Sequence, residues 1–183
     1  MWPQELSLRL SAKSILNTDL VAQAEAFAAL EERLDEYESY QEALDAGFVK
    51  DVRKELSKNY RMGIKLEGWI NTFTPPLASG GNVGVSGEVQ DGIFSHVHAL
   101  TAGSSEAIHR ALAFEKEFAV QKTKCDAETW ERYRDALAAT QLHDLTKSVL
   151  QARSDCLSIA NSVANNLEHL HKPAEDKIIA HMY

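Results

Sequence analysis

The chain has 183 residues, 44% apolar and 25% charged, a composition that suits one soluble domain with a sizeable core. A formal net charge of -8 argues against a sequence-independent grip on nucleic acid, which needs a basic face. The two cysteines, Cys125 and Cys156, lie far apart and form no CxxC, so neither a disulfide framework nor a zinc site follows, and they read as free thiols.

The N-terminal MWPQELSLRL lacks an apolar h-region, so no signal peptide is expected. The first helical segment is predicted over 6–44. Leu16, Leu20, Ala24, Phe27, Leu30, Leu34 and Tyr37 recur at spacings of three and four on one face, with Glu25, Glu32, Arg33, Asp35 and Glu36 opposite. Gly47 suits a helix C-terminus and marks the break. A second helix is predicted over 49–73, in which Val52, Leu56, Tyr60 and Ile64 step by four and Trp69, Ile70 and Phe73 follow. Pro75 and Pro76 end it, because proline lacks the backbone donor and clashes with the preceding turn.

Residues 68–87 form the longest uncharged run, but its prolines and glycines make it a poor membrane span. Within it, 74–84 reads as a loop. A third helix is expected over 85–123, with Val89, Ile93, Val97, Leu100, Ala107, Ala111, Phe114 and Phe118 on one face and a kink allowed at Gly103, Ser104 and Ser105. Asp126 is an N-cap candidate for a last helix over 127–171. There Leu145, Val149, Ala152, Cys156, Ile159, Val163, Leu167 and Leu170 form a packing seam. Lys172 and Pro173 close it, and a tail, 174–183, comes last. The fold expected is all-α: one elongated up-down four-helix bundle domain over 1–183, on the order of 50 Å long.

Catalytic and metal motifs are sparse. The stretch SGGNVG has no phosphate-loop lysine and follows a helix, and neither GxSxG nor HExxH occurs. Two ExxH pairs, Glu106 to His109 and Glu168 to His171, suggest a ferritin-like di-metal bundle. In an antiparallel hairpin turning near Cys125, however, the two pairs stand on the order of 40 Å apart, too far to share a site. The pairs His96 with His98 and His169 with His171 point to different helix faces. No cofactor and no enzymatic activity are expected. A helical scaffold or adaptor is the other alternative.

The loop and its flanks resemble the 11S proteasome activator family, also called the REG or proteasome activator 28 family. Trp69 is followed six residues later by Pro75, and Gly80-Gly81-Asn82-Val83-Gly84-Val85 corresponds to the family's Gly-Asn-Asn-Phe-Gly-Val. Tyr133-Arg134 matches its Asp-Tyr-Arg segment, Lys172-Pro173 its Lys-Pro after the last helix, and Met182-Tyr183 its hydrophobic-then-Tyr ending. The resemblance runs from Leu56 to Tyr183. Gly81 and Val83 depart from the family's asparagine and aromatic, and Pro76, Leu77, Ala78 and Ser79 replace charged residues after its proline.

The resemblance implies a subunit of a heptameric ring, homo- or heteromeric, that caps the 20S proteasome's alpha-subunit ring without ATP, in the cytoplasm or nucleus. The implied activation loop is Pro76, Leu77, Ala78, Ser79, Gly80, Gly81, Asn82 and Gly84. The implied C-terminal anchor is His181, Met182 and Tyr183, whose terminal carboxylate inserts between proteasome subunits. No nucleic acid and no membrane is expected as a partner.

Overall fold

The computed structural model describes residues 3–73 and 85–171. They form α1 (Pro3–Ser14), a π-helical turn (Ile15–Asp19), α2 (Leu20–Leu34), α3 (Tyr40–Asp45), α4 (Phe48–Phe73), α5 (Val85–Lys124) and α6 (Ala127–His171). The long helices pack as a bundle: α5 lies between α4 and α6, α2 packs on α6, and α1 on α4.

The N-terminal segment differs from the single helix expected over 6–44. Its buried apolar positions as far as Leu34, among the described residues, are Ala12, Ile15, Leu20, Ala24, Phe27, Leu30 and Leu34. The gap from Ile15 to Leu20 is five residues, one more than an α-helical step. The π turn absorbs it: the Leu20 amide donates to the Ile15 carbonyl, and both residues stay on the core side. Thr18 Oγ1 donates to the Ser14 carbonyl at 2.9 Å, a side-chain bond that competes with the regular ladder there. Leu16 is left half-buried.

The helix then stops at Leu34. The Glu36 and Tyr37 amides fall back on carbonyls three residues earlier, and Ser39 is extended. Ser39 Oγ accepts from the Glu42 amide at 3.3 Å, and the Glu42 carboxylate accepts from the Glu38 amide at 3.0 Å. This is a variant of the reciprocal capping pair that Ser-x-x-Glu encodes, and it starts α3. Gly47, at φ 76°, closes α3, and its carbonyl receives the first amides of α4 from Lys50 and Asp51.

On α4 the buried face runs Val52, Leu56, Asn59, Leu66 and Ile70, while Tyr60 and Ile64 are 39% and 46% exposed. A strict step of four advances about 40° around a helix at 3.6 residues per turn. The pattern Val52–Leu56–Tyr60–Ile64 therefore drifts off the core, and a step of three to Asn59 corrects it. α5 runs unbroken through Gly103, Ser104 and Ser105. Ser104 is buried, and a β-carbon on Gly103 would sit 3.9 Å from the Asp155 carboxylate, so small residues serve a close α5–α6 approach there.

The core is two apolar clusters stacked along the bundle. One, around Phe27, Phe48, Val52, Leu145 and Val149, gathers α2, α3, α4, α5 and α6. The other, around Leu20, Leu66, Val97, Leu100 and Ile159, gathers α1, α2, α4, α5 and α6. Each fully buried aliphatic or aromatic side chain contributes about 1.5–3 kcal/mol. At the far end Tyr40 of α3 joins Phe114, Phe118 and Trp130 of the α5–α6 hairpin in a row of rings, with successive centroids 4.9–5.7 Å apart. Asp126 caps α6 through the Thr129 amide at 2.9 Å, and that bond holds the carboxyl below its usual pKa.

Candidate functional site

The helix ends that flank the two segments singled out by the sequence share one end of the bundle. Between α4 and α5, Glu67 Oε1 meets His98 Nδ1 at 3.3 Å and Gly63 lies against Thr101. Between α5 and α6, Gly103 lies near Asp155, and the Tyr133 hydroxyl donates to Glu117 at 2.6 Å. These pairs set antiparallel registers. Extended along the helices, they bring the end of α4 at Phe73, the start of α5 at Val85 and the end of α6 at His171 to the same end. The loop residues Pro76, Leu77, Ala78, Ser79, Gly80, Gly81, Asn82 and Gly84 lie outside the described residues, as do His181, Met182 and Tyr183 of the tail.

The platform beneath them is the second apolar cluster. Leu66 and Ile70 of α4, Ile93 and Val97 of α5, and Ile159 and Val163 of α6 close its centre, with Trp69, Val89 and Phe94 packed at the margin. α1 covers α4 here, with Leu8 Cδ1 3.9 Å from where a β-carbon on Gly68 would stand. His98 stacks on Phe94 and faces Glu67, an exposed arrangement that needs no ligand.

The exit of α6 has a feature that the periodicity of its seam does not reveal. Asn166 departs from helical geometry at φ -129°, ψ 20°, and its Nδ2 donates to the Ser162 carbonyl at 2.8 Å. That carbonyl lies four residues back, where the helix ladder would otherwise draw on it. The break redirects the last turn before the tail. The Asn165-Asn166 pair was the available signal, since asparagine competes for local backbone groups and disfavours helix interiors.

Below the platform lies a buried polar layer. Cys156 Sγ donates to Asn59 Oδ1 at 3.4 Å, and Asn59 Nδ2 has no partner among the described residues. Gln23 Nε2 donates to the Glu55 carboxylate at 2.9 Å, and Thr101 Oγ1 to the Val97 carbonyl at 2.9 Å. Burial, the main cause, pushes the Cys156 thiol up to about 12, so it stays protonated and inert near neutrality.

Of the ExxH pairs, Glu106 turns to Arg110 at 3.4 Å on the outer face of α5, beside His109. The side chains of Glu168 and His171 lie outside the described residues. No group of three or more His, Cys, Asp or Glu among the described residues could hold a metal ion. No helix among them is long and apolar enough to cross a membrane.

Long packed helices, with the end of α4, the start of α5 and the end of α6 at one end, define a helical platform protein. The family described as proteasome activator PA28, C-terminal, matches residues 42–178, three quarters of the chain, and the chain belongs to that family. Its members are non-catalytic regulators of the proteasome. The match spans α4, the connecting loop, α5 and α6. α1, α2 and the final His181, Met182 and Tyr183 lie outside it. Among curated proteins none matches the chain.

Proposed function

We propose that the chain is a subunit of an ATP-independent activator of the 20S proteasome. Seven copies close into a ring that caps the alpha-subunit ring. His181, Met182 and Tyr183 anchor each subunit, and the loop from Pro76 to Gly84 displaces the gate. The observation that carries this reading is the family match over residues 42–178. The common origin of loop and tail at one end of a rigid platform supports it, because anchor and actuator must reach the same surface.

The chemistry of the two segments fits the roles. The loop's prolines limit its path, and its glycines allow close backbone approach. Asn82 offers both a donor and an acceptor. The tail ends on Met182 and Tyr183 beside a carboxylate, and a lysine between proteasome subunits would balance that charge where it is buried. Single tails bind weakly, and linked copies in a ring multiply their hold. The activator works in the cytoplasm or nucleus on peptides entering the 20S particle.

The test is hydrolysis of fluorogenic peptides by latent 20S proteasome without ATP. Added protein should raise the rate, and deletion of Met182 and Tyr183 should abolish both the rise and co-sedimentation with 20S particles. No stimulation at saturating protein refutes the reading.

A further inference from the structure

At the end of the bundle away from Phe73 and His171, the α5–α6 hairpin outruns α4. Gly63 lies against Thr101, so Phe48, fifteen residues back along α4, stands level with Lys116, fifteen residues on along α5. Phe48 begins α4, but α5 continues to Lys124, about two turns or 12 Å further. α3 covers only part of this overhang. Tyr40 is buried edge-on to Phe114, whereas Phe118 and Trp130 belong to neither apolar cluster and stay half-buried. A cleft of about 640 Å3 opens between α3 and the hairpin. Phe114, Phe118 and Leu44, the last 39% exposed, form its apolar wall. Glu115 and Asp135 stand in its lining with Arg134. Arg53 takes Glu115 Oε1 at 3.0 Å, and Arg134 takes Asp135 Oδ1 at 2.9 Å through both Nε and Nη2. The second oxygen of each carboxylate has no bonded partner among the described residues.

We infer that this cleft is a binding site for an aromatic amine, its ring against Leu44, Phe114 and Phe118 and its N–H groups on the open oxygens of Glu115 and Asp135. The volume falls within the range of small-ligand pockets, about 300–1,000 Å3. Ionised carboxylates only accept hydrogen bonds, so the ligand must bring the donors. An ammonium group makes those bonds charge-assisted, and the ring faces nearby attract a cation as well. An anion of the same shape meets two carboxylates, with the guanidinium of Arg134 already turned to Asp135, in a chain of net charge -8.

The ligand comes from outside the subunit, because its own remaining segments are too short to reach. Residues 172–183 follow His171, which lies about 50 Å along α6 from Ala138 in the cleft wall. Twelve residues span at most about 43 Å even fully extended. Residues 74–84 are tied to Phe73 and Val85 at both ends and reach less far. A free arylalkylamine and the amino-terminal aromatic residue of a short peptide present the same chemistry. The site stands whether or not the chain activates a proteasome.

The experiment titrates the full-length protein, labelled with fluorotryptophan, with phenethylamine, with the tripeptide Phe-Gly-Gly and with hydrocinnamate. Trp130 packs on Phe118 at 4.9 Å, so its fluorine resonance should shift saturably with the amine or the tripeptide. The resonance of Trp69, in the cluster at the other end, should stay in place. The tighter of the two ligands assigns the source, free amine or peptide terminus. Hydrocinnamate, with the same ring and the opposite charge, should shift neither resonance. Glu115→Gln with Asp135→Asn should weaken binding roughly tenfold at unchanged helical content, since charge-assisted bonds become neutral ones. Asp135→Asn alone, at an exposed position, should weaken it in the same direction. Three results each overturn the site: no saturable Trp130 shift with either amine-bearing ligand, equal binding of hydrocinnamate, or unchanged affinity in the folded variants.

Discussion

Gly63→Ala tests how closely α4 and α5 are packed. A β-carbon on Gly63 would stand 2.2 Å from Thr101 Oγ1, 3.1 Å from Thr101 Cβ and 3.3 Å from Thr101 Cα. The hydroxyl can rotate away, at the loss of its 2.9 Å bond to the Val97 carbonyl. The Thr101 Cα cannot move unless α5 moves with it. Overpacking of a close contact costs about 1–3 kcal/mol. Alanine returns up to about 1 kcal/mol through its better helix propensity. The shortest contact is far inside van der Waals range and Thr101 is buried, so the cost falls in the upper part of its range. The net loss is then about 1–2 kcal/mol, or a melting temperature about 2–8 °C lower for a domain of this size. Thermal unfolding by circular dichroism at fixed protein concentration measures it. Adding Thr101→Ala removes the 2.2 Å contact and should recover about 1 kcal/mol beyond additivity. A Gly63→Ala protein that melts at or above wild type, or a strictly additive double variant, refutes the packing argument.

Three further outcomes rest on single residues. Gly47→Ala should destabilise by about 1–2 kcal/mol through its left-handed backbone alone, since a β-carbon there meets nothing within 4 Å, and no second substitution nearby should rescue it in chemical denaturation. An alkylating reagent at pH 8 should label Cys125 and spare Cys156 until the protein unfolds, because Cys156 is buried with its pKa raised to about 12; equal labelling rates by mass spectrometry would sink this. Asp155 has its pKa raised, chiefly by burial, so its contribution to stability is fully present below the ordinary carboxylate pKa of about 3.9 and is lost as pH rises through the raised value. Asp155→Asn should therefore melt above wild type at pH 7 and lose that advantage near pH 3, and parallel melting curves across pH would contradict it.

The all-helical class and the core of α6 were legible because a seam that alternates steps of three and four tracks one face of an α-helix. Leu145, Val149, Ala152, Cys156, Ile159 and Val163 are buried along it. The N-terminal segment was legible only in part. An apolar gap of five, from Ile15 to Leu20, has no place in an α-helical template, and the break at residues 35–39 is made by polar groups. Its signal, Ser39-Tyr40-Gln41-Glu42, was present in the sequence as Ser-x-x-Glu. On α4, Asn59 was invisible to a hydrophobic count although it is fully buried, and Tyr60 and Ile64 looked internal for the converse reason. The loop and tail stood out through a family resemblance carried by short, ordered motifs, while the Asn166 break that redirects the chain toward the tail is a matter of local hydrogen bonding.

The buried polar layer connects the core to the working end. A buried amide such as Asn59 Nδ2, without a partner among the described residues, costs about 1–3 kcal/mol, and a leucine in its place would avoid that cost. What the asparagine adds is discrimination. Its Oδ1 accepts from Cys156 Sγ in one axial alignment of α4 against α6, at 3.4 Å. Sliding α4 by one turn, about 5.4 Å, would carry Asn59 into an apolar cluster and strand both ends of its amide. The neighbouring Gly63–Thr101 contact locks α4 against α5 in the same way, since only glycine admits the hydroxyl at that level. The loop is tied to the ends of α4 and α5, and the tail to the end of α6. A one-turn slip of α4 would therefore shift the loop against the tail by about the same 5.4 Å. In an assembly where the tail anchors and the loop pushes, that offset is the quantity that matters, and side chains near the middle of the bundle hold it fixed.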